Sequence, residues 1–348
     1  MTDSAANTTG SQKPEARSQN GKAISFFWRR SLLVSGFLFV FGLAHASYAQ
    51  QQQNLDKVEI HVLPVQGNVY MLVGAGGNIT VQAGNQGVLL VDTQFAPLSD
   101  KVLAAIRQLS NKPIRYIINT HYHGDHTGGN ESIAKVGTTP NVGPGANLQR
   151  PTATIIAHEN VLNRMSAPAG VQAPTPTAAW PTDTYVSGQK ELFFNEEGIE
   201  VIHAPAAHTD GDSIVYFRRS DVVSTGDVFV TTSYPYFDLQ AGGSINGVID
   251  ALNRIIQIAI PKHEQEGGTY IIPGHGRLCD EADIVEYRDM ATIIRDRVQA
   301  MIKKGMTLDQ VKAARPTKEY DRRYGSTTGP RTTDMFVEAV YRSLSGKK

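Results

Sequence analysis

The chain has 348 residues, 41% of them hydrophobic and 19% charged, which is enough apolar sequence for one large or two ordinary soluble domains. Lysine plus arginine and aspartate plus glutamate both number 33, so the formal net charge is zero. This balance argues against nucleic acid or an anionic membrane surface as the main partner. The one cysteine, Cys279, excludes an internal disulfide.

The N-terminal segment, 1–49, is predicted to be a polar leader followed by an export signal. Two arginines, Arg29 and Arg30, precede an apolar run over 32–43, which ends in small residues at 44–49. That order is typical of a secretory signal peptide, and the run is shorter than the about 20 residues that cross a bilayer. We therefore expect cleavage and a periplasmic or secreted protein without stable membrane insertion. An uncleaved membrane anchor is the alternative, and the export route stays open.

Short β-branched runs separated by glycines begin near residue 58. The stretch over 58–93 predicts four or five strands, and apolar spacing over 98–110 predicts a helix with Ser99 as its N-cap. A further strand is predicted over 113–120. Polar residues beyond the carboxyl end of such a strand lie where ligands usually bind.

The second half repeats the order of strands followed by helix after a region of loops. Long loops rich in proline and threonine are predicted over 137–188, around one strand and helix. Strands are then predicted over 190–205, 213–227 and 269–276, and helices over 244–260, 280–305 and 334–344. This pattern favours one domain over 58–280, with 281–348 as a helical extension packed on it.

Residues 121–130 read HYHGDHTGGN and place three histidines and an aspartate within six positions. His121 and His123 are two apart at the end of a predicted strand, so their side chains point the same way. Asp125 and His126 follow a glycine, where the backbone can turn. Neutral imidazole and carboxylate suit Zn²⁺, with Fe or Mn also possible. A solvated loop or a set of core histidines is the alternative.

Four ligands cannot complete the coordination spheres of two metal ions, so a two-metal site requires further ligands downstream in the sequence. His208 in AAHTDGD, Asp227 after VVSTG and His275 in PGHG each lie where a predicted strand gives way to a loop. His203 is the nearest rival to His208. It falls inside a predicted strand without a flanking glycine, which favours a structural role.

The segments THYHGDHTGG, HTDGD, STGD and PGHG, in this order, resemble the metallo-β-lactamase superfamily over roughly 68–277. The resemblance implies an α/β fold, the αββα four-layer sandwich, with a dinuclear site for two Zn²⁺ ions at one edge. The ligands that it implies are His121, His123 and His208 for the first metal, Asp125, His126 and His275 for the second, Asp227 between the two, and Asp92 buried behind them.

Two of these positions bear on the substrate. The zinc β-lactamases of the main class have Ser where this chain has His126 and Cys where it has Asp227, whereas the glyoxalase II and lactonase branches have His and Asp. The resemblance thus implies an enzyme in which metal-bound hydroxide attacks an ester, thioester, lactone or lactam carbonyl. Asp125 would orient the water and pass its proton to the leaving group. The alternatives are a mononuclear iron oxidoreductase of the persulfide dioxygenase type, a true β-lactamase and a non-catalytic binding protein.

The substrate is expected to be a small molecule. The stretch TTSYPYFDL follows Asp227 and suggests Tyr234 and Tyr236 as substrate contacts, the alternative being that both pack at the sandwich edge. Arg277, two residues after His275, is interpreted as a surface arginine rather than a contact for a substrate carboxylate. The sequence assigns neither the natural substrate nor an oligomeric state.

Overall fold

The computed structural model describes residues 55–140, 149–167, 175–264, 267–329 and 331–346. The predicted export signal over 1–49 lies outside these ranges, as do two parts of the predicted loops, 141–148 and 168–174. Among the helices of the described ranges, none is both long and apolar enough to cross a bilayer.

The strands of the described residues form two sheets and one short ribbon. In chain order they are β1 (His61–Gln66), β2 (Val69–Val73), β3 (Ile79–Gly84), β4 (Gly87–Val91), β5 (Ile114–Ile118), β6 (Thr139–Pro140), β7 (Gln149–Arg150), β8 (Thr154–His158), β9 (Asp183–Tyr185), β10 (Gln189–Phe194), β11 (Glu197–Ala204), β12 (Asp212–Phe217), β13 (Val222–Ser224) and β14 (Tyr270–Ile272). The first sheet has the order β1-β2-β3-β4-β5-β8-β9 and the second β10-β11-β12-β13-β14, while β6 pairs with β7. The glycine-rich stretch over 58–93 therefore forms four strands.

Strand direction changes within each sheet. In the first sheet β1 to β4 form an antiparallel meander, and β4, β5, β8 and β9 are parallel. In the second sheet β10 to β13 are antiparallel, and β13 and β14 are parallel. The carboxyl ends of the parallel strands therefore gather at one edge of the sandwich, where loops can bring polar side chains together.

Helices cover the outer faces of both sheets. In chain order they are α1 (Ser99–Leu109), α2 (Gly124–Thr127), α3 (Asn130–Lys135), α4 (Glu159–Ser166), α5 (Ile245–Ile258), α6 (Glu281–Lys303), α7 (Leu308–Ala313), α8 (Asp321–Tyr324) and α9 (Thr333–Ser345). Ser99, predicted as the N-cap of α1, is its first residue instead, and its hydroxyl donates to the carbonyl oxygen of Ala96 at 2.8 Å.

Alternate residues of the strands pack into two core regions, one between the two sheets and one between a sheet and its outer helices. In β4, Leu89 and Val91 face the other sheet, whereas Val88 and Leu90 face α1, and all four side chains are fully buried. A central strand buried on both faces reads as a continuous apolar run, which is why GVLLV shows no alternation. The layers are thus helix, sheet, sheet, helix, and the predicted αββα sandwich is confirmed.

The C-terminal helices pack on the second sheet. Val337 and Val340 of α9 and Ile284 of α6 belong to the same buried cluster as Ile214 and Ile271 of that sheet. Asp280 begins α6 with a capping box, in which its side chain accepts from the backbone of Asp283. The residues after 280 therefore add to the outer helical layer of the second sheet.

Candidate metal centre

The predicted ligands meet at the edge where the parallel strands end. His121, His123, Asp125 and His126 follow β5, His208 follows β11, and the loops after β13 and β14 carry the remaining two ligands. Those two ligands are Asp227, in a short 3₁₀ turn (Gly226–Val228), and His275. The pairing of β13 with β14 brings both loops to one edge.

Seven side chains form three overlapping groups of donor atoms, and in each group all the atoms lie within 4.8 Å of one another. The groups are His121, His123 and His208; His121, His126 and Asp227; and Asp125, His126 and His275. All seven residues predicted as metal ligands are therefore brought together by the fold. The overlap of the groups gives one continuous centre.

The carboxylate of Asp227 lies between two sets of imidazoles. Its Oδ1 atom is 3.2 Å from Nε2 of His126 and 3.4 Å from Nε2 of His275, whereas its Oδ2 atom is 3.8 Å from Nε2 of His208. The two oxygens of one buried carboxylate thus serve different sides of the centre. This is the arrangement expected of a ligand shared by two cations.

The outer nitrogens of three histidines contact acceptors. Nδ1 of His126 is 2.7 Å from Asp92 Oδ2, and Nδ1 of His208 is 2.7 Å from the carbonyl oxygen of Tyr236. Nδ1 of His121 is 3.0 Å from the hydroxyl of Thr120, which itself donates to Asp92 at 2.6 Å. Each of these nitrogens is therefore the donor, and each Nε2 atom faces the centre.

Ring nitrogens that face one another need a proton or a metal cation between them. Nε2 of His208 lies 2.9 Å from Nδ1 of His123, and Nε2 of His126 lies 3.4 Å from Nε2 of His275. Nε2 of His121 and Oδ1 of Asp227 are buried without a hydrogen-bond partner among the described residues. Buried polar atoms are nearly always satisfied, so these unpartnered atoms fit metal coordination.

The electrostatics of the centre depend on burial and on neighbouring charges. Burial, with adjacent histidines, holds the pKa of His121 well below its usual value, and burial lowers that of His208 to about 4. Both imidazoles are therefore neutral near pH 7, the form that binds a metal. Burial raises the pKa of Asp125, but His275 and His126 outweigh it and lower the pKa to about 2, so this carboxylate is ionised.

Two further buried groups oppose each other in charge. Burial lowers the pKa of His126, but the carboxylates of Asp227 and Asp92 outweigh it and raise the pKa well above the usual range. Burial likewise raises the pKa of Asp227, but the neighbouring imidazoles of His126 and His208 have the larger effect and lower this pKa well below its usual value. Without a cation, the proton on His126 balances the carboxylates, so metal binding at this position must displace that proton.

Two glycines are required by close approach to the ligands. A Cβ at Gly77 would lie 2.2 Å from the ring of His126, and one at Gly274 would lie 2.1 Å from Oδ1 of Asp227. The loop with His275 is held by Asn78, whose side-chain amide donates to the carbonyl oxygens of Pro273 and Gly276. The pattern GAGGN is thus part of the site, although the sequence predicted it only as a turn.

Asp238 is a site residue that sequence reasoning missed. Its Oδ2 atom lies 3.5 Å from Nε2 of His123 and accepts a hydrogen bond of 2.7 Å from the hydroxyl of Tyr122. Its backbone N–H donates to the carbonyl oxygen of His208 at 2.7 Å. Asp238 thereby makes Nε2 of His123 the donor and leaves Nδ1 facing the centre. No spacing in the sequence relates it to the histidines.

The two predicted substrate tyrosines occupy different surroundings. The Tyr234 hydroxyl donates to Asp321 at 2.9 Å, and its ring stacks on Phe336 at 4.6 Å, so it joins the loop to the C-terminal helices. This placement gives the Tyr234 hydroxyl a structural role. Tyr236 is 37% exposed, and its ring centroid lies 5.5 Å from that of His208 and 6.2 Å from that of His123.

Two other predicted positions resolve into structural roles. His203 lies in β11, where its ring stacks on His158 at 3.7 Å and its Nε2 atom is 2.9 Å from the carbonyl oxygen of Asp210. Arg277 is a surface arginine, as predicted, and its guanidinium pairs with Asp283 at 3.0 Å.

Among curated proteins, the chain is 24% identical over 263 residues to a linear primary-alkylsulfatase from Pseudomonas sp. (strain ATCC 19151), covering 65% of this chain and 47% of that protein. It is 28% identical over 178 residues to the 2,4-dinitroanisole O-demethylase subunit alpha of Nocardioides sp. (strain JS1661), covering 48% of this chain and 47% of that subunit. The chain therefore spans about half the length of these curated relatives.

A solved structure of a stereoselective inverting sec-alkylsulfatase from Pseudomonas sp. has the same fold. It superposes with a TM-score of 0.58 at 16% identity, over 86% of this chain and 52% of that one. The family model described as metallo-beta-lactamase superfamily matches residues 64–275, which include all seven predicted ligands. The chain belongs to the metallo-β-lactamase superfamily.

Proposed function

We propose that this protein is a dinuclear metal-dependent hydrolase of small molecules, with two zinc ions as the expected metals and iron or manganese as alternatives. The observation that carries this proposal is the position of Asp227, whose two carboxylate oxygens lie against different histidines. The unpartnered Nε2 atom of His121 and Oδ1 atom of Asp227 support it, because buried donor atoms without partners suit cations.

In this proposal the side chains prepare the site for attack on an ester-type bond. The chemistry that such cations supply when bound is polarisation of a substrate oxygen and activation of water. Asp125 is partly exposed at the open side of the centre, and its lowered pKa of about 2 keeps it ionised. Its carboxylate can accept a hydrogen bond from water and orient that water, while protonation of a leaving group requires a proton taken up during the reaction.

The proposed substrate bonds are those of esters, thioesters, lactones and lactams. A second candidate is the sulfate ester, since relatives at 24% identity and in fold are named alkylsulfatases. A screen should therefore contain carbonyl esters, thioesters, lactones, β-lactams and alkyl sulfates with equal chain lengths. A ranking by kcat/KM would separate the two substrate classes, because a planar, neutral acyl group and a tetrahedral, anionic sulfate group differ in geometry and charge.

Metal analysis with chelation tests the proposal. Purified protein should contain about two divalent cations per chain, chelation should abolish turnover, and added zinc should restore it. One iron per chain, with oxygen consumption in place of hydrolysis, would indicate the mononuclear oxidoreductase instead. Full turnover by metal-free protein, or no turnover in the whole screen by metal-loaded protein, contradicts the proposed hydrolase.

We also propose that the protein is exported. The arginine pair Arg29–Arg30, the apolar run over 32–43 and the small residues that follow support this. Cell fractionation with N-terminal sequencing should find a mature chain that begins near residue 50. A full-length chain in the cytoplasm contradicts export, and a full-length chain in the membrane indicates an uncleaved anchor.

A further inference from the structure

A cavity of about 490 Å³ adjoins the metal centre on the side of Tyr236. One wall is the segment 234–240, and the other consists of residues on α9 with Arg331 and Thr332, which precede the helix. Arg331 lies on this second wall, with its guanidinium 4.0 Å from Oδ2 of Asp227. The seven ligands do not themselves line the cavity, and Arg331 is the cavity residue whose charge lies next to Asp227.

The backbone at Arg331 is fixed by two features of α9. The next residue, Thr332, is the N-cap of the helix, and its hydroxyl accepts from the backbone N–H of Met335 at 3.3 Å. One turn into the helix, Phe336 stacks on Tyr234 with an interplanar angle of 2°. The helix start is thus attached to the loop that follows Asp227, and Arg331 is held at the rim of the centre.

The guanidinium of Arg331 has N–H groups that are available to a ligand. It lies over the ring of Tyr236 at 4.6 Å and makes no hydrogen bond to the other residues that the structure describes. Its side chain is 37% exposed, and Asp227 is its single ion-pair partner among those residues. By contrast, the guanidinium of Arg277 is occupied by Asp283.

The ion pair with Asp227 is also the one that metal binding weakens. A carboxylate whose two oxygens serve cations has little charge left to neutralise a guanidinium 4.0 Å away. The paired N–H donors of the Arg331 guanidinium then face a site of positive charge, where an anion is the favoured occupant. The wall beyond it offers apolar side chains, namely Leu239 and Met335.

We propose that Arg331 is a specificity-determining residue that selects substrates with an anionic group, a carboxylate or sulfate, whose apolar part extends along Leu239 and Met335. The inference rests on the proposed hydrolase and deepens it by naming a substrate class. Arg331 lies in the C-terminal segment, beyond the residues 64–275 that the family model matches.

The test measures binding and turnover separately in zinc-loaded protein. Calorimetry with decyl sulfate, decanoate and decyltrimethylammonium measures affinity, and the first two probes separate sulfate from carboxylate. Hydrolysis of 4-nitrophenyl valerate and of mono-4-nitrophenyl glutarate compares a neutral and an anionic ester with the same leaving group. The variants are Arg331→Gln, Arg331→Lys and, as the charge-matched control, Arg277→Gln, each assayed in excess zinc.

Arg331→Gln should weaken binding of the anionic probes about tenfold or more, since a charge-assisted hydrogen bond to the guanidinium is lost. KM for the glutarate ester should rise by a similar factor, with kcat and the valerate ester little changed. The affinity of Arg331→Lys for the anionic probes should lie between those of Arg331→Gln and the unsubstituted protein, because lysine keeps the positive charge but loses the paired N–H donors of the guanidinium. Arg277→Gln should behave as the unsubstituted protein does.

Equal affinity of Arg331→Gln and unsubstituted protein for both anionic probes overturns the inference, as does an equal loss in Arg277→Gln. An equal rise in KM for both esters also overturns it, since that result indicates a general disturbance. If neither ester is hydrolysed while anion binding depends on Arg331, the proposed ester hydrolysis fails and the anion site stands. If both esters are hydrolysed and binding is insensitive to Arg331, the hydrolase stands and the anion site fails.

Discussion

The two ends of β11 bury polar side chains in opposite ways. Glu197 begins the strand, and its carboxylate accepts from the side-chain amide of Gln82 at 2.5 Å and from the backbone N–H of Ser220 at 2.5 Å. The other end leads to His208 and the metal centre, where Nε2 of His121 and Oδ1 of Asp227 have no hydrogen-bond partner among the described residues.

The difference separates a structural polar network from a functional one. At Glu197 each donor has an acceptor, so the network stabilises the contact between the two sheets at little cost. At the metal centre the fold places metal-ligand atoms close together without hydrogen-bond partners. This arrangement lowers the stability of the metal-free protein and favours a bound cation. Substitutions at the two ends should therefore affect different measurements.

The largest effect is expected at the shared ligand. Asp227→Asn should lower kcat/KM about 10³-fold or more and reduce the metal content, because the proposed ligand of both cations loses its charge. Metal analysis and kinetics on the same sample measure both changes. Asp250→Asn, an exposed position on α5, is the control. Full metal content in the Asp227 variant contradicts its assignment as a shared ligand.

A substitution at the Glu197 end of β11 should change the stability of the protein and leave its activity and metal content unchanged. Glu197→Ala leaves the Gln82 amide and the Ser220 N–H without their acceptor, so the unfolding free energy should fall by about 3 kcal/mol. Urea denaturation measures this, while kcat/KM per folded molecule and metal content should stay unchanged. Glu191→Ala, an exposed residue on the neighbouring strand, is the control. Loss of metal in the Glu197 variant would erase the distinction between the ends.

Asp238 sharpens the comparison because it serves the centre without facing the cations. Asp238→Asn should weaken metal affinity about 10-fold, since the partner of the His123 Nε2 atom loses its charge. Competition against a chromophoric chelator measures the affinity. Tyr122→Phe removes only the hydroxyl that donates to Asp238, so it should have a smaller effect. An unchanged affinity in both variants refutes a positioning role for Asp238.

The smallest effect concerns His158, a buried histidine outside the centre. Burial, with the stacked ring of His203, lowers the pKa of His158 to about 4 from 6.5. Below pH 6.5 the unfolded chain takes up a proton at His158 that the folded chain does not, so this histidine lowers the unfolding free energy as the pH falls toward 4. Above pH 6.5 it has no such effect.

His158→Asn should therefore reduce the loss of stability between pH 7 and pH 5 by about 1 kcal/mol. Asparagine keeps the N-cap acceptor that His158 provides to Asn160, so helix α4 should be retained. Denaturation curves of both proteins at the two pH values give the difference. An identical pH dependence shows that His158 is solvated or protonated in the folded protein.

The sequence alone predicted the ligands because their signal is local. His121, His123, Asp125 and His126 lie within six positions, and the downstream ligands follow apolar strands beside glycines. Hydrophobic runs and turn residues depend on the chain itself, so the two sheets and the long helices could also be predicted. The family resemblance then placed the pieces in one fold.

The other site residues depend on contacts between distant parts of the chain. Asp238, Gly77 and Arg331 have no fixed spacing from the histidines, and each acts through a neighbour that only the sandwich brings near. The same reason explains Tyr234, which the sequence suggested as a substrate contact and which stacks on Phe336, about a hundred residues away along the chain.

The sequence by itself determined which side chains can bind metal and which strand ends carry them. Only the tertiary structure decided which nitrogen of each imidazole faces the centre, because that depends on acceptors such as Asp92, Asp238 and the carbonyl oxygen of Tyr236. Only the packing of α9 decided that Arg331 lies beside Asp227. The physical reason is that hydrophobic periodicity is written locally along a chain, whereas hydrogen-bond partners and charges act through space.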